Sequence, residues 1–267
     1  MFTRRALTTL GFLLAAVGPT FGARPPWKAG LARVQITPRK SLWMAGFGAR
    51  TKPSEGIIQE IYVKALALED QSGRRAVLVT SDLVGFPAAV ANPIAAKVEK
   101  SHRLGRDRLI LNASHSHSGP VLANPLRITY EARMSAEQVR DIEEYTRELE
   151  DKVVSVVGAA LRDLRPARLS FGRTEAGFGV NRRIKTETGW LSSRVNPEGP
   201  VDHDVPLLRV ESDQGALRGV VFGYACHNTT VVANTYQFNG DYAGFAQEWL
   251  EKQHPDAVAL FVEGCGA

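Results

Sequence analysis

Apolar and polar positions along this chain alternate between two periods. Residues 29–36, 61–69 and 75–80 carry apolar and β-branched side chains, alternating or in short runs, between Gly, Pro and Asp breakers; this predicts three strands. Residues 87–104 change period, with Ala88, Val90, Ile94, Ala95 and Val98 spaced for one helical face. A short apolar strand returns at 108–113, giving the strand, helix, strand rhythm of an α/β layer. Ser135 followed by Gln138 is a capping-box pattern and predicts a long helix to about residue 163. Val139, Ile142, Leu149, Val153, Val156 and Val157 form its stripe, and its other face mixes acids with bases, which fits core packing better than a membrane surface. Further strands are expected at 167–174, 206–211, 217–225 and 257–262, with a helix at 242–253. Residues 177–200 show no periodicity and read as a long loop, of the kind that is functional or disordered. The fold expected is α/β, a mixed β-sheet in layers covered by helices, with a metal site at strand ends.

The N-terminus adds an address. Arg4 and Arg5 precede an apolar run over residues 6–17, and the small residues Gly22 and Ala23 follow. This is the layout of a signal peptide over residues 1–23, leaving a domain over 24–267 that is exported to the periplasm or secreted, by the general or the twin-arginine route. The run is shorter than the roughly 20 residues of a membrane-spanning helix, and no later segment reaches that length. Cleavage removes Arg4 and Arg5 and no acid, so 33 basic residues become 31 against 28 acidic ones and the net charge falls from +5 to +3. The basic residues are scattered, which argues against nucleic-acid binding. Cys226 and Cys265 are too few for a disulfide scaffold; an oxidising compartment permits one bond, and two buried thiols on neighbouring strands fit equally.

Candidate chemistry gathers where apolar strands run out. Asn112-Ala113-Ser114-His115-Ser116-His117-Ser118-Gly119-Pro120 follows the strand at 108–113. In extended chain His115 and His117 project to the same side and can share a metal ion. Zinc suits imidazole but needs three or four ligands. His227 stands at the mouth of another strand, as a further ligand or a capped core histidine. His102, His203 and His254 lie in polar surroundings and read as solvated. Asp82 ends a strand, as a turn residue or a partner that orients an imidazole. Asp241 precedes a helix and reads first as its N-cap.

Residues 30–38, Met44-Ala45-Gly46-Phe47, 113–120, Asn181-Arg182, 201–210, 225–230 and 240–244 occur in an order that resembles the neutral, non-lysosomal ceramidases, over nearly the whole mature chain. The resemblance implies that His115 and His227 are Zn2+ ligands, that His117 assists as a catalytic or supporting group, and that Arg182 faces the reacting carbonyl. It implies an amide hydrolase acting on the N-acyl bond of ceramide-like lipids and a lipid-like small-molecule substrate; the apolar segments themselves predict no stable membrane span. Another exported amide or ester, or a non-catalytic domain of the same fold, are the alternatives. The family completes its zinc sphere with a glutamate and a tyrosine beyond the position of residue 267, so the domain is expected to be incomplete at its C-terminal end. Cys265 is expected to be a structural thiol, since no histidine near it in sequence activates it. Oligomeric state is not assigned by any of these residues.

Overall fold

The computed structural model describes residues 26–123, 129–192 and 194–266; the expected signal segment lies outside them. Eight strands form one sheet in the order β12-β10-β9-β6-β1-β3-β4-β5. These are β1 (Trp27–Gln35), β3 (Tyr62–Glu69), β4 (Arg75–Ser81), β5 (Leu109–Ala113), β6 (Arg165–Glu175), β9 (Asp204–Ser212), β10 (Leu217–Tyr224) and β12 (Val258–Glu263). The pairs in the middle are antiparallel, while β4 with β5 and β10 with β12 are parallel. Parallel neighbours need a crossover. α1 (Ala88–His102) supplies it at one edge and α3 (Asp241–Gln253) at the other.

α2 (Ala136–Arg162) starts where the sequence places it, with Ser135 and Gln138 making both reciprocal capping bonds. Of its stripe, Ile142, Leu149, Val153, Val156 and Val157 are buried and Val139 is half-buried, and the helix packs against β1 and β3. Val63, Ala65 and Ala67 of β3 join that core, and α1 packs against α2 with Val90, Ile94, Ala95 and Val98 in the same core. Each large aliphatic side chain buried here contributes about 1.5–3 kcal/mol. The alternate residues Leu66 and Leu68 face the other way, onto a second cluster with Ala29, Ala167, Val210, Val221 and Leu260. Leu260 belongs to the far edge strand, so the sheet curls until β12 lies over β1, β3, β4 and β5. Buried Lys64 seams this curl: its Nζ donates to Glu251 Oε1 at 2.7 Å and to the Ala259 carbonyl at 2.9 Å, and Ala259 N–H donates to Glu251 Oε1 at 3.0 Å.

The segment 177–200 holds a hairpin, β7 (Arg183–Thr186) with β8 (Gly189–Ser192), instead of a loop without structure. The two-residue strands β2 (Gly56–Ile57) and β11 (Gln237–Phe238) form a further parallel rung. His102 is not simply solvated: its Nε2 lies 3.0 Å from the Val154 carbonyl and its ring sits against Gly158, where α1 meets α2. Cys226 and Cys265 follow the adjacent strands β10 and β12 and are both free thiols; Cys226 is partly buried and Cys265 is exposed, because each lies past its strand on the rim. Among the described residues no helix is long and apolar enough to cross a membrane.

Candidate metal centre

The carboxyl ends of β4, β5, β10 and β12 share one rim, which in open α/β sheets is where ligands bind. His115 and His117 follow β5 and His227 follows β10, and the three are brought together, with one nitrogen of each lying within 4.8 Å of the others. Ring centroids are 5.0 Å apart for His115 and His117, 4.6 Å for His115 and His227, and 4.7 Å for His117 and His227. The convergence does not come from an extended strand. His115 has φ 59°, in the left-handed region, so the chain turns between the two histidines. Such a residue costs of order 1 kcal/mol and needs its surroundings to hold it. Ser114 N–H donates to the Ser81 carbonyl at 2.8 Å, Ser116 Oγ to the Asn239 carbonyl at 3.1 Å, and His117 N–H to the Asn228 carbonyl at 3.4 Å.

His115 Nδ1 lies 2.9 Å from the Val84 carbonyl. A carbonyl only accepts, so Nδ1 carries the proton and the Nε2 lone pair is free. Both nitrogens of His117 and Nδ1 of His227 are buried with no hydrogen-bond partner. Burial, then the neighbouring His115 and His227 and the cations Arg50 and Arg182, pulls His117 down to about 3. Burial, His115 and Arg182 pull His227 down to about 4, and burial lowers His115. All three imidazoles are therefore neutral near pH 7, the state that ligates metals. Three neutral imidazoles with one nitrogen of each within 4.8 Å of the others, two of them carrying buried nitrogens without a partner, fit a borderline-soft divalent cation.

The supporting shell explains how His117 is fixed. Gly46 sits at φ 96°, and a Cβ there would lie 2.2 Å from His117 Cγ, so the backbone can approach the ring only as glycine. Phe47 meets the same ring edge-on at 4.9 Å. Beneath them Arg50 is buried, its Nη1 donating to the Ala45 and His117 carbonyls at 2.7 Å each and its Nη2 to the Thr235 carbonyl at 3.2 Å. Arg50 drew no attention in the sequence, where it is one basic residue in a polar stretch. Arg182 reaches the rim: with Phe47, His117, His227, Thr229 and Val232 it lines a cavity of about 480 Å³.

Asp82 stands at the bend after β4, as the turn reading has it, whereas Asp241 does other work than expected. Asp82 orients no imidazole; its buried carboxylate accepts from Tyr62 N–H at 2.8 Å and Gln247 Nε2 at 3.2 Å, while the Val84 carbonyl takes the imidazole. Asp241 is not the N-cap, which is Gly240. Held at φ 55°, it accepts from Thr230 N–H at 3.0 Å, Thr230 Oγ1 at 2.5 Å, Val231 N–H at 2.8 Å and Tyr242 N–H at 2.6 Å. It thereby ties the start of α3 to the loop that carries His227.

Fold and site define an α/β domain with a three-histidine candidate metal centre at its strand ends. The chain belongs to the neutral/alkaline non-lysosomal ceramidase family, whose N-terminal sequence pattern matches residues 27–263. It is 25% identical over 243 residues to the neutral ceramidase of Pseudomonas aeruginosa, covering 88% of this chain and 35% of that protein. It is 23% identical over 251 residues to that of Mycobacterium tuberculosis, covering 82% and 36%. With that of Drosophila melanogaster it is 21% identical over 259 residues, covering 93% and 34%. The chain thus spans about a third of the length of these relatives. The crystal structure of the Pseudomonas aeruginosa neutral ceramidase superposes with a TM-score of 0.73 at 22% identity, covering 90% of this chain and 39% of that one. A ceramidase complexed with C2 superposes with a TM-score of 0.71, also at 22% identity, covering 90% and 38%. Both show a shared fold.

Proposed function

We propose that this chain supplies the histidine side of the active site of an exported, zinc-dependent amide hydrolase that cleaves the N-acyl bond of ceramide-like lipids. The observation that carries the reading is three neutral imidazoles, each with one nitrogen within 4.8 Å of the others, in a family whose relatives are named neutral ceramidase. Zinc would be held by His115 and His227, and when bound it supplies a Lewis acid for the amide carbonyl and lowers the pKa of water. His117, neutral and with both ring nitrogens free, stands beside those ligands to accept a hydrogen bond from the attacking group. Arg182 adds a cation on the cavity wall, suited to the negative charge that would develop on the carbonyl oxygen. Phe47 and Val232 give that cavity an apolar side suited to an acyl chain. Export rests on Arg4, Arg5 and the apolar run after them.

The test is elemental analysis of the purified chain beside His115→Ala and His227→Ala, followed by hydrolysis of a panel of N-acyl sphingoid bases, N-acyl amino acids and simple esters. Near-stoichiometric zinc in the parent, lost in both variants, together with turnover of the sphingoid amides, is expected. Retained zinc-dependent turnover in His115→Ala defeats the proposal, and turnover of the esters alone moves the substrate class.

A further inference from the structure

The two edges of the sheet meet beside the candidate metal centre, and one side chain joins them. β5 and β12 are the edge strands, so each has backbone groups that no neighbouring strand satisfies. Asn112 of β5 turns its amide onto Glu263 of β12. Its Nδ2 donates to the Glu263 carbonyl at 3.2 Å, and the Glu263 N–H donates to its Oδ1 at 3.1 Å. The pair of bonds imitates a rung of a β-ladder, made by a side chain where two backbones do not pair.

Register places this rung level with the histidines. Glu263 lies opposite Tyr224 in the parallel β10 and β12 pair, and Tyr224 is three residues before His227. Asn112 is three residues before His115. The Lys64 seam grips β12 at Ala259, about 13 Å further from the rim at about 3.3 Å per residue. Near the rim the Asn112 amide spans from the strand bearing His115 to the strand pair bearing His227, and beyond the strand ends the single His117 N–H bond to the Asn228 carbonyl, at 3.4 Å, is a longer second link.

We infer that Asn112 is a positioning residue, whose clasp on the Glu263 main chain sets the separation of His115 and His227. The inference rests on the metal reading of the histidines. Asparagine meets the need because one short planar group offers both a donor and an acceptor; aspartate keeps only acceptors and alanine neither. A metal site tolerates little looseness, and ligands carried on the two end pairs of strands of a curled sheet are loose unless those ends are joined.

Asn112→Ala, Asn112→Asp and Lys64→Met would be compared with the parent. The readouts are the Zn2+ dissociation constant from competition with a chromophoric chelator, the melting temperature, and hydrogen exchange of the metal-free proteins over residues 226–231 and 258–263. Asn112→Ala is expected to weaken zinc about 10- to 100-fold, the range for partners that orient ligands. Lys64→Met, which cuts the other seam, is expected to lower the melting temperature and leave the dissociation constant unchanged. An unchanged constant in Asn112→Ala, or an equal loss in Lys64→Met, overturns the inference. If Asn112→Ala does not fold, Asn112→Asp, which keeps the accepting half of the clasp, carries the same comparison. A parent that binds no zinc counts against the metal reading, and exchange then decides the clasp. Faster exchange over 226–231 in the Asn112 variants and not in Lys64→Met supports it, and equal exchange overturns it.

Discussion

Glu263 ends β12 with both carboxylate oxygens buried and without a hydrogen-bond partner. Its main chain is held by Asn112, and its charge is felt by Cys226 and Tyr242, whose pKa values burial raises first and Glu263 raises further. Burial pushes Glu263 from 4.5 up to about 8. The folded protein therefore keeps a proton that the unfolded chain releases near 4.5. The stability this confers is fully present below 4.5 and is lost as the pH climbs through about 8. At about 1.36 kcal/mol per pH unit, the interval sets a ceiling of about 5 kcal/mol. Glu263→Gln keeps the shape and cannot ionise. Urea unfolding of the metal-free parent and variant, followed by tryptophan fluorescence from pH 5 to 9, measures the difference, and subtraction cancels the titration of the histidines. The variant is expected to gain about 2–4 kcal/mol on the parent between the ends of that range, below the ceiling because part of the titration lies outside it and solvent screens a partly buried side chain. A difference that stays flat with pH would refute the reasoning, because the carboxylate would then ionise at an ordinary pH and its oxygens would have a partner.

Two further substitutions probe the shell around the histidines. Gly46→Ala puts a Cβ 2.2 Å from His117 Cγ on a backbone at φ 96°; thermal melts and metal content should show a loss of about 2–4 kcal/mol together with loss of bound metal, and normal zinc uptake would mean that His117 does not need the glycine. Asp241→Asn turns an accepting oxygen into a donor facing the Thr230 and Val231 N–H groups; chemical denaturation should show about 1–3 kcal/mol of destabilisation and hydrogen exchange should speed up over residues 227–231, and unchanged exchange there would remove Asp241 from the support of His227.

Elements that bury one face were legible in the sequence because burial imposes the period. β3 alternates Val63, Ala65 and Ala67 against Lys64, Leu66 and Leu68, and the structure puts those sets on opposite faces. α2 showed both its stripe and its cap. β2 and β11, at two residues each, are too short to carry a period. The β7–β8 hairpin is mostly exposed, so no core face imposed a pattern on it. In the site, residue type at a strand end was enough to find His115, His117 and His227. Three of their supports were hidden for a common reason: the Val84 carbonyl, Gly46 and Arg50 act on His115 and His117 from far away in the chain, and what they touch is decided by the tertiary fold. His102 looked solvated for the same reason, since its partner Val154 belongs to a different helix.

The position of the site follows from how this sheet is assembled. An antiparallel middle is flanked by a parallel pair at each edge, β4 with β5 and β10 with β12. Each pair is closed by its own crossover helix, α1 or α3. Because the sheet curls, the carboxyl ends of both pairs reach one rim, and that rim receives two histidines from one edge and one from the other. A metal ion bound there would bridge the two edges, so its binding energy would also resist uncurling. A ligand that binds only the folded chain stabilises it by about 2.7 kcal/mol at 100 times its dissociation constant. The site and the closure of the sheet are then one structural problem. That is why a clasp of two hydrogen bonds from Asn112, remote from any reacting atom, belongs to the chemistry as much as to the fold.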